Sequence, residues 1–510
     1  MTETIKKMEC ILTVDINTSS VRIHAFDLTG QVLGMRKGSY PTFHPQADYS
    51  EQDPEQVFIT TLYVLKNFLN EVIHPQKFKV KAICFCAAMH SVLAVDKNGR
   101  PLGNAIIWAD NRGIKQAKLL KNSQECTQIY EASGTPIHPM SPLIKIAWMS
   151  QQDPERFAQA YKFISLKEYV LLQLTGEYLL DQSIASSTGM FDIHQLKWHT
   201  KALEFAGITP DRLSTPVSIF FDEVGLKKEY SKSLGLSSAT KLIIGSSDGC
   251  SATLGSGNIA AEKATVTLAS SGAVRVASKE ILVDKSQRFF NYLLAEDYYI
   301  SGGPTNNVGV VFDWFTQQFG SFDPRQDLEQ VKEELLREAI QVSAGAKGLL
   351  FLPYLLGERA PIWNANARGV YFGLNITHGQ KHLLRATVEG ILFEVYSIGK
   401  LLAEHRNFSS ISLTGSYASV PLFAQILTDI FGLPIHANTS VDNVALGTAL
   451  IGLTGMNYFK NLNESSSNLP VTETYLPNAQ NHDLYMRYFE IFERLSTKLE
   501  PDFELITALQ

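Results

Sequence analysis

Cysteine is scarce in this sequence, and the few present form no pattern. The five cysteines, at 10, 84, 86, 126 and 250, include no C-x-x-C pair and no Cys/His group at metal-ligand spacing. That removes a disulfide framework and a zinc site. It leaves buried, reduced thiols in a cytoplasmic protein as the expectation, with Cys84 and Cys86 on one face of a strand. Basic residues are not in surplus either. Lys and Arg number 45 against 51 Asp and Glu, a net charge of −6. With no Lys/Arg run interleaved with aromatics, this argues against a nucleic-acid partner. No window offers the ~18 uninterrupted apolar residues of a membrane span. The opening MTETIKKMECILTVDI does not read as a signal peptide, because Asp15 breaks the apolar stretch early and no small-residue cleavage site follows.

Three common catalytic fingerprints are also missing. There is no G-x-x-x-x-G-K-[ST], so a nucleotide site must be built without a P-loop. No G-x-G-x-x-G follows a strand, which removes the main reason to expect NAD; the glycines of GCSATLGSG (249–257) lack that spacing. No G-x-S-x-G elbow occurs.

What is present is an α/β pattern. The chain has 510 residues, 45% hydrophobic and 19% charged, the balance of a soluble globular protein of two to four domains. ECILTVDI, SVRIHAFDL and QVLGMRKGSY read as strands, with a hydroxyl-rich turn, NTSS, between the first two. DPEQVFITTLYVLKNFLNEVI starts with an Asp53 cap and a proline at the first helical position, and DPERFAQAYKF repeats that start. KAICFCAAMH is apolar throughout, as a buried central strand is. KLIIGSSDG and ISLTGS read as further strands, and QKHLLRATVEGILFEVYSIGKLLAEH and HDLYMRYFEIFERLSTKLE as helices. NYFKNLNESSSNLPVTE (457–473) reads as a surface loop. A weak internal repeat stands out. VDINTSSVRIHAFDL and TLASSGAVRVASKEILVD are each a strand, a small-residue turn and a second strand carrying V-R-[IV]. Two similarly built halves follow, 1–255 and 256–510, meeting near the small-residue stretch 251–264.

The candidate chemistry lies at strand ends. In VDINTSS an acidic residue ends a strand before a hydroxyl-rich turn. Backbone N–H groups there can face a phosphate, and the carboxylate can hold hydrated Mg²⁺. Arg22 adds positive charge, and Asp248 stands at another strand end. His90 ends the apolar run AAMH, where a satisfied core or rim histidine is the commoner outcome. Trp108, Asp110, Asn111 and Arg112 crowd a polar cluster that suits polyol recognition, or equally a salt-bridged helix start. GGPTNN and TGSYAS let a ligand approach the backbone closely.

Taken in order, these segments resemble the FGGY carbohydrate kinases, relatives of the actin and hexokinase fold. MSPLIKIAWMSQQ (140–152) fits one family signature, with Pro142, Lys145 and Trp148 in register. GVYFGLNITHGQKHLLRATVE (369–389) fits the second, with Gly369, Gly373, His382, Ala386 and Glu389 in place, and GERAPIW (357–363) is also typical. The resemblance implies two RNase H-like, actin-like ATPase domains with a cleft between them, closing on ATP and a sugar. It places Thr18, Ser19, Ser20 and Arg22 on the first phosphate loop and Asp15 near Mg²⁺. It makes Asp248 the base that takes the hydroxyl proton. Ser271, Gly272, Gly303 and Pro304 would lie along the nucleotide, and Gly415, Ser416 and Ser419 on the adenosine side. Met89, His90, Trp108, Asp110, Arg112, Asn306 and Asn307 would meet the sugar.

The sequence departs from the family where Asn17, Ala269-Ser270 and Ser416 replace Gly, Gly-Thr and Gly. Asn is suited to a positive φ at the first of these. The segments MHS, WADNR, SSDGCSATLGSG and GGPTNN look most like those of the gluconate kinases, with a pentulose such as D-xylulose as runner-up. Arg112, His90, Asn306 and Asn307 are then the candidates for a sugar-acid carboxylate. A non-catalytic sugar-sensing relative is disfavoured, because Asp15 and Asp248 are both retained. A homodimer is among the assemblies open to such a protein.

Overall fold

The computed structural model describes residues 8–46, 48–257, 259, 262–295, 297–320, 328–437, 442–467, 469 and 473–509. The near-continuous apolar run ECILTVDI forms strand Glu9–Ile16 (β1), buried along all but its first residue. A strand of that composition needs cover on both faces. It pairs antiparallel with Ser20–Asp27 (β2), which pairs antiparallel with Val32–Ser39 (β3). Lys79–Ala87 (β4) joins β1 in parallel, and Lys241–Ser247 (β5) joins β4 in parallel. The sheet order is β5-β4-β1-β2-β3. Helix Pro54–Phe68 (α1) crosses from β3 towards β4. Its start is the predicted one: the Asp53 carboxylate accepts from the N–H groups of Glu55 and Gln56, and Pro54 needs no acceptor.

The second half repeats this wiring. Its sheet contains Lys263–Leu268 (β6), Gly272–Ser278 (β7), Phe290–Ala295 (β8), Tyr298–Thr305 (β9), Ser410–Thr414 (β10), Ile435–Ala437 (β11) and Glu473–Tyr475 (β12). The order is β8-β9-β7-β6-β10-β11-β12. Within it β9-β7-β6-β10-β11 matches β3-β2-β1-β4-β5 in order. Both set three antiparallel strands beside two parallel ones, although in the second half β8 intervenes in the chain between β7 and β9. The V-R-[IV] echo in the sequence marks this repeat of topology, with Arg22 on β2 and Arg275 on β7.

The halves meet at helices. Asp248–Gly255 (α2) follows β5 directly, Gln380–Ala403 (α3) connects β9 to β10, and Asn443–Gly455 (α4) packs across the first sheet although it comes from the second half. A Cβ on Gly447 of α4 would stand 1.9 Å from the Ser251 carbonyl of α2, and one on Gly255 would stand 1.9 Å from the Asn443 carbonyl. Two glycines thus let the backbones touch. Ala479–Lys498 (α5) covers α3, burying Tyr485, Phe489 and Phe492.

The long connection between β4 and β5 holds smaller strands and helices and the turns at His90 and Trp108. The signature MSPLIKIAWMSQQ contains helix Pro142–Gln152, whose Lys145 is fully buried. Its ammonium donates to the carbonyls of His90 and Ile107, 2.6 and 2.7 Å away, and so pins two acceptor-side turns.

Two expectations change. The stretch 457–473 is not only loop: Leu462–Ser466 is a short helix, capped by Asn461, whose Leu462 is buried against α4. A lone Leu among Asn and Ser gave no periodicity to read. Residues 468 and 470–472 of that stretch, and 258, 260 and 261 of the small-residue junction, lie outside the described residues. Asn17 does not adopt a positive φ. Its side-chain carbonyl instead accepts from the N–H of the next residue, Thr18, at 2.7 Å, a contact that the usual glycine cannot make.

Candidate active site

Between the two hairpins opens a cavity of about 780 Å³. Ser19, Ser20 and Arg22 line it from the first hairpin, and Ser271 and Gly272 from the second. Gly415, Ser416 and Ser419, after β10, line it from another side. Gly415 needs to be glycine: its φ is +94°, and a Cβ would stand 2.2 Å from the Leu268 carbonyl.

Asp248 also lines this cavity. It is the first residue of α2, placed there because Ser247 caps the helix through the Cys250 N–H. One carboxylate oxygen accepts from the Gly249 N–H at 2.7 Å. Burial raises its pKa, an effect opposed by Arg275, the Gly249 N–H and Arg22. A carboxylate at a helix start with raised proton affinity is suited to accepting a proton.

Asp15 lies behind the first loop, 1% exposed. Its Oδ2 accepts from Arg22 Nη2 and Nε at 2.7 and 3.1 Å, while its buried Oδ1 has no hydrogen-bond partner. Burial pushes the Asp15 pKa up to about 6; Arg22 lowers it, and Asp442 and Asp248 raise it further. Arg22 also donates to Asp442 at 2.6 Å, and Asp442 caps α4 through the N–H groups of Val444 and Ala445. Asp15, Arg22 and Asp442 therefore tie the first hairpin to α4.

Thr18, predicted on the phosphate loop, does not line this cavity; its hydroxyl accepts from Trp108 Nε1 at 2.9 Å. Thr18, Met89 and Trp108 share a small pocket. The Met89 methyl lies 3.2 Å from where a Cβ on Gly249 would be, so Met89 reaches the residue beside Asp248. His90 is buried, with φ +69°, its Nδ1 2.9 Å from the Ser187 carbonyl and its Nε2 3.2 Å from the Tyr292 hydroxyl. Burial lowers its pKa to about 3, helped by Lys145 and Arg359, so the ring is neutral.

Several residues predicted to meet ligand are occupied in the scaffold. Arg112 binds the Asp110 carboxylate, which is fully buried, and reaches Glu51 at 2.6 Å; its guanidinium stacks 3.7 Å above Tyr49. Asp110 also accepts from the Ser50 N–H. This is the salt-bridged alternative of the polar cluster. Asn307 is saturated by Gly357, Glu358 and Leu356. Asn306 bonds Leu356 and Glu358, yet its Oδ1 is buried and unpartnered. Gly303 and Pro304 sit inside β9 and do not line the cavity: a Cβ on Gly303 would meet Ala360 at 2.5 Å, and the Pro304 carbonyl accepts from the Ala360 N–H.

Asp442, Lys37, Thr267, Arg275 and Arg359 were not foreseen. Arg275 had a signal, since it occupies the V-R-V echo of Arg22. Asp442 had none, because its partner is 420 residues away. Arg359 is 9% exposed and stands 4.9 Å above the Trp108 ring, donating to the Thr305 carbonyl.

One carbohydrate-kinase family matches across both halves. Its N-terminal domain matches residues 10–255, and its C-terminal domain residues 266–456. The chain belongs to the FGGY family of carbohydrate kinases. It is similar to gluconokinase of Bacillus subtilis (strain 168), 34% identical over 508 residues with 98% of each chain covered. It is also similar to xylulose kinase of Staphylococcus epidermidis (strain ATCC 12228 / FDA PCI 1200), 30% identical over 498 residues with 96% of each covered. The crystal structure of gluconate kinase from Lactobacillus acidophilus matches with TM-score 0.92 at 29% identity, covering 98% of this chain and 100% of that one. As an FGGY kinase the protein is a phosphotransferase that uses ATP, with the actin-like two-domain architecture seen in the doubled sheet. Among the described residues no helix is long and apolar enough to cross a membrane.

Proposed function

We propose that this FGGY kinase transfers the γ-phosphoryl group of ATP to the 6-hydroxyl of D-gluconate, giving 6-phospho-D-gluconate and ADP. The observation that carries the reaction is the position of Asp248. It lines the cavity between the two hairpins, and Met89 reaches its neighbour Gly249. An acceptor hydroxyl entering from the Met89 side meets the carboxylate and the γ-phosphate together. Asp248 takes the proton as the O–P bond forms, and burial strengthens it as a base at that moment.

The sugar acid is supported by two facts. The two gluconokinase relatives, both 34% identical, exceed the xylulose kinases at 27–30%. The acceptor side also holds a buried cation, Arg359, with no carboxylate in ion-pair contact among the described residues and an Nε without a partner. A substrate carboxylate supplies that missing partner. Arg359 thus takes the part that sequence reading gave to Arg112. D-Xylulose is the second reading, favoured by the 30% full-length identity to a xylulose kinase.

The protein groups fit a phosphate-bound Mg²⁺. Asp15 offers a buried oxygen without a partner, and no cluster of three or more His, Cys, Asp or Glu exists among the described residues. One carboxylate plus water and phosphate oxygens is the usual magnesium donor set. Bound there, Mg²⁺ would neutralise phosphate charge. We place the domain boundary between 255 and 256. The buried, unpaired cysteines support a cytoplasmic setting, and the exposed Phe372, Leu374 and Ile376 support a homodimer.

ATP consumption across D-gluconate, D-xylulose, L-ribulose, glycerol and L-fuculose tests the substrate, with Asp248→Asn as the second arm. Gluconate is expected to lead by about tenfold or more in kcat/KM, the scale of one pocket contact. Asp248→Asn is expected to lose about 10³-fold in kcat while gluconate binding holds. Turnover of a pentulose with gluconate inert refutes the substrate. Undiminished transfer by Asp248→Asn refutes the base.

A further inference from the structure

Arg275 lies on β7, in the wall of the cavity that the two phosphate hairpins share. Its Nη1 donates to Thr267 Oγ1 across the hairpin at 3.0 Å. Its Nε and Nη2 lie 3.2 and 3.4 Å from where a Cβ on Gly249 would stand, beside Asp248. The Met89 methyl touches the same point at 3.2 Å. One guanidinium therefore spans from the phosphate loop to the acceptor, alongside the base. We infer that Arg275 grips the phosphoryl group while it passes from ATP to the acceptor hydroxyl.

The charge inventory of the cavity leads to this assignment. Arg22, on the corresponding strand of the first half, is held by Asp15 and Asp442 at 2.7 and 2.6 Å. Its charge is spent on joining the hairpin to α4. Lys37 is exposed at the cavity margin. Arg275 has no carboxylate in ion-pair contact among the described residues, and its buried Nε has no hydrogen-bond partner. Burial works against its charge and Asp248 supports it. An unspent guanidinium facing a developing phosphoryl charge, already fixed in place, is the arrangement that lowers a phosphoryl-transfer barrier. The missing Cβ at Gly249 leaves the planar fork room to reach the reacting atoms.

The alternative ligand for Arg275 is the sugar's own carboxylate. In a hexonate phosphorylated on O6, that group lies at the opposite end of the carbon chain from the hydroxyl at Asp248. Arg275 stands at the Asp248 end, whereas Arg359 stands over Trp108.

The inference rests on the proposed reading that phosphoryl transfer takes place in this cavity, with Asp248 cast as the base; the grip needs only the first part. In the step, the acceptor oxygen bonds the γ-phosphorus and gives its proton to Asp248. The bond from that phosphorus to the β–γ bridging oxygen breaks, and ADP leaves with the electron pair. Arg275 donates N–H bonds to the non-bridging oxygens throughout and neither gains nor loses a proton.

The test uses the full chain with Arg275→Gln, Arg275→Ala and Arg275→Lys, assayed on whichever acceptor the wild type turns over. Arg275→Gln is expected to lose about 10³-fold in kcat, with KM for ATP and for the acceptor within about threefold. Calorimetry is expected to show ADP binding retained but the tighter binding of ADP with aluminium fluoride lost. Guanidinium ion is expected to restore about tenfold or more of the Arg275→Ala rate. Arg275→Lys keeps the charge and is expected to fall between; it carries the test if the Gln variant shows no cooperative melting. A rise of about 30-fold or more in gluconate KM with kcat held assigns Arg275 to the carboxylate and overturns the inference. A kcat within about threefold of wild type overturns it as well. Loss on Arg275→Gln with full transfer by Asp248→Asn refutes the base and leaves the grip standing.

Discussion

Gly447→Ala adds one methyl group where the two halves of the molecule touch. A Cβ at 447 would stand 1.9 Å from the Ser251 carbonyl and 2.9 Å from the Gly255 nitrogen, when ordinary contact begins at 3.4 Å. The shortfall against Ser251 is 1.5 Å, and it is against backbone, so no rotamer change relieves it. Helices α2 and α4 must separate by roughly 1 Å. Overpacking of this kind costs about 1–3 kcal/mol, and Ala in place of Gly in a helix returns about 1 kcal/mol. A net loss of about 0–2 kcal/mol is expected. The catalytic effect is larger. Ser251 is on the same helical turn as Asp248, and Asp442, which holds Arg22, caps α4. A 1 Å misplacement of a reacting group costs about 10²-fold in rate, so kcat is expected to fall about 10- to 100-fold. Urea unfolding and a coupled ADP-release assay measure the two effects, with Gly225→Ala as control because nothing lies within 4 Å of its Cβ. If Gly447→Ala unfolds with the wild type and keeps kcat within about twofold, the close crossing does not position the site.

Two further outcomes follow from buried charge. Arg112→Leu strips the fully buried Asp110 of its cation and is expected to destabilise by about 3–5 kcal/mol in urea unfolding. Gluconate affinity of the folded fraction should stay within about threefold, and a selective loss of gluconate binding returns Arg112 to the sugar site. Asp15→Asn is expected to change the pH dependence of stability. The folded pKa of Asp15 is raised from 3.8 to about 6, so its contribution is fully present below pH 3.8 and lost as pH rises through 6. About two pKa units correspond to about 3 kcal/mol, so the variant should gain that much on wild type between about pH 3 and pH 8. A difference constant across that range contradicts the burial argument.

Local structure was legible where one physical cause dominates. The Asp-Pro starts at 53 and 153 became capped helices, because the carboxylate and the missing N–H act within one turn. The apolar runs at 9–16 and 79–87 became buried strands. For His90 the local run suggested a satisfied rim residue whereas the resemblance placed it on the sugar; its ring bonds Ser187 and Tyr292. The short helix at 462–466 was illegible, because it forms to bury Leu462 against α4 rather than from its own propensity.

The ordered motifs determined the doubled α/β architecture, the two small-residue hairpins and the place of Asp248 at a strand end, because those features depend on short stretches of chain. Only the tertiary structure decided how each charge is used. Arg112, Arg22, Arg275 and Arg359 are alike as letters. Arg112 and Arg22 meet buried carboxylates, whereas Arg275 and Arg359 each keep a guanidinium Nε without a partner. A guanidinium's role depends on which anion lies within about 3 Å of it. For Arg22 that anion includes Asp442, 420 residues away, and no local pattern could name it.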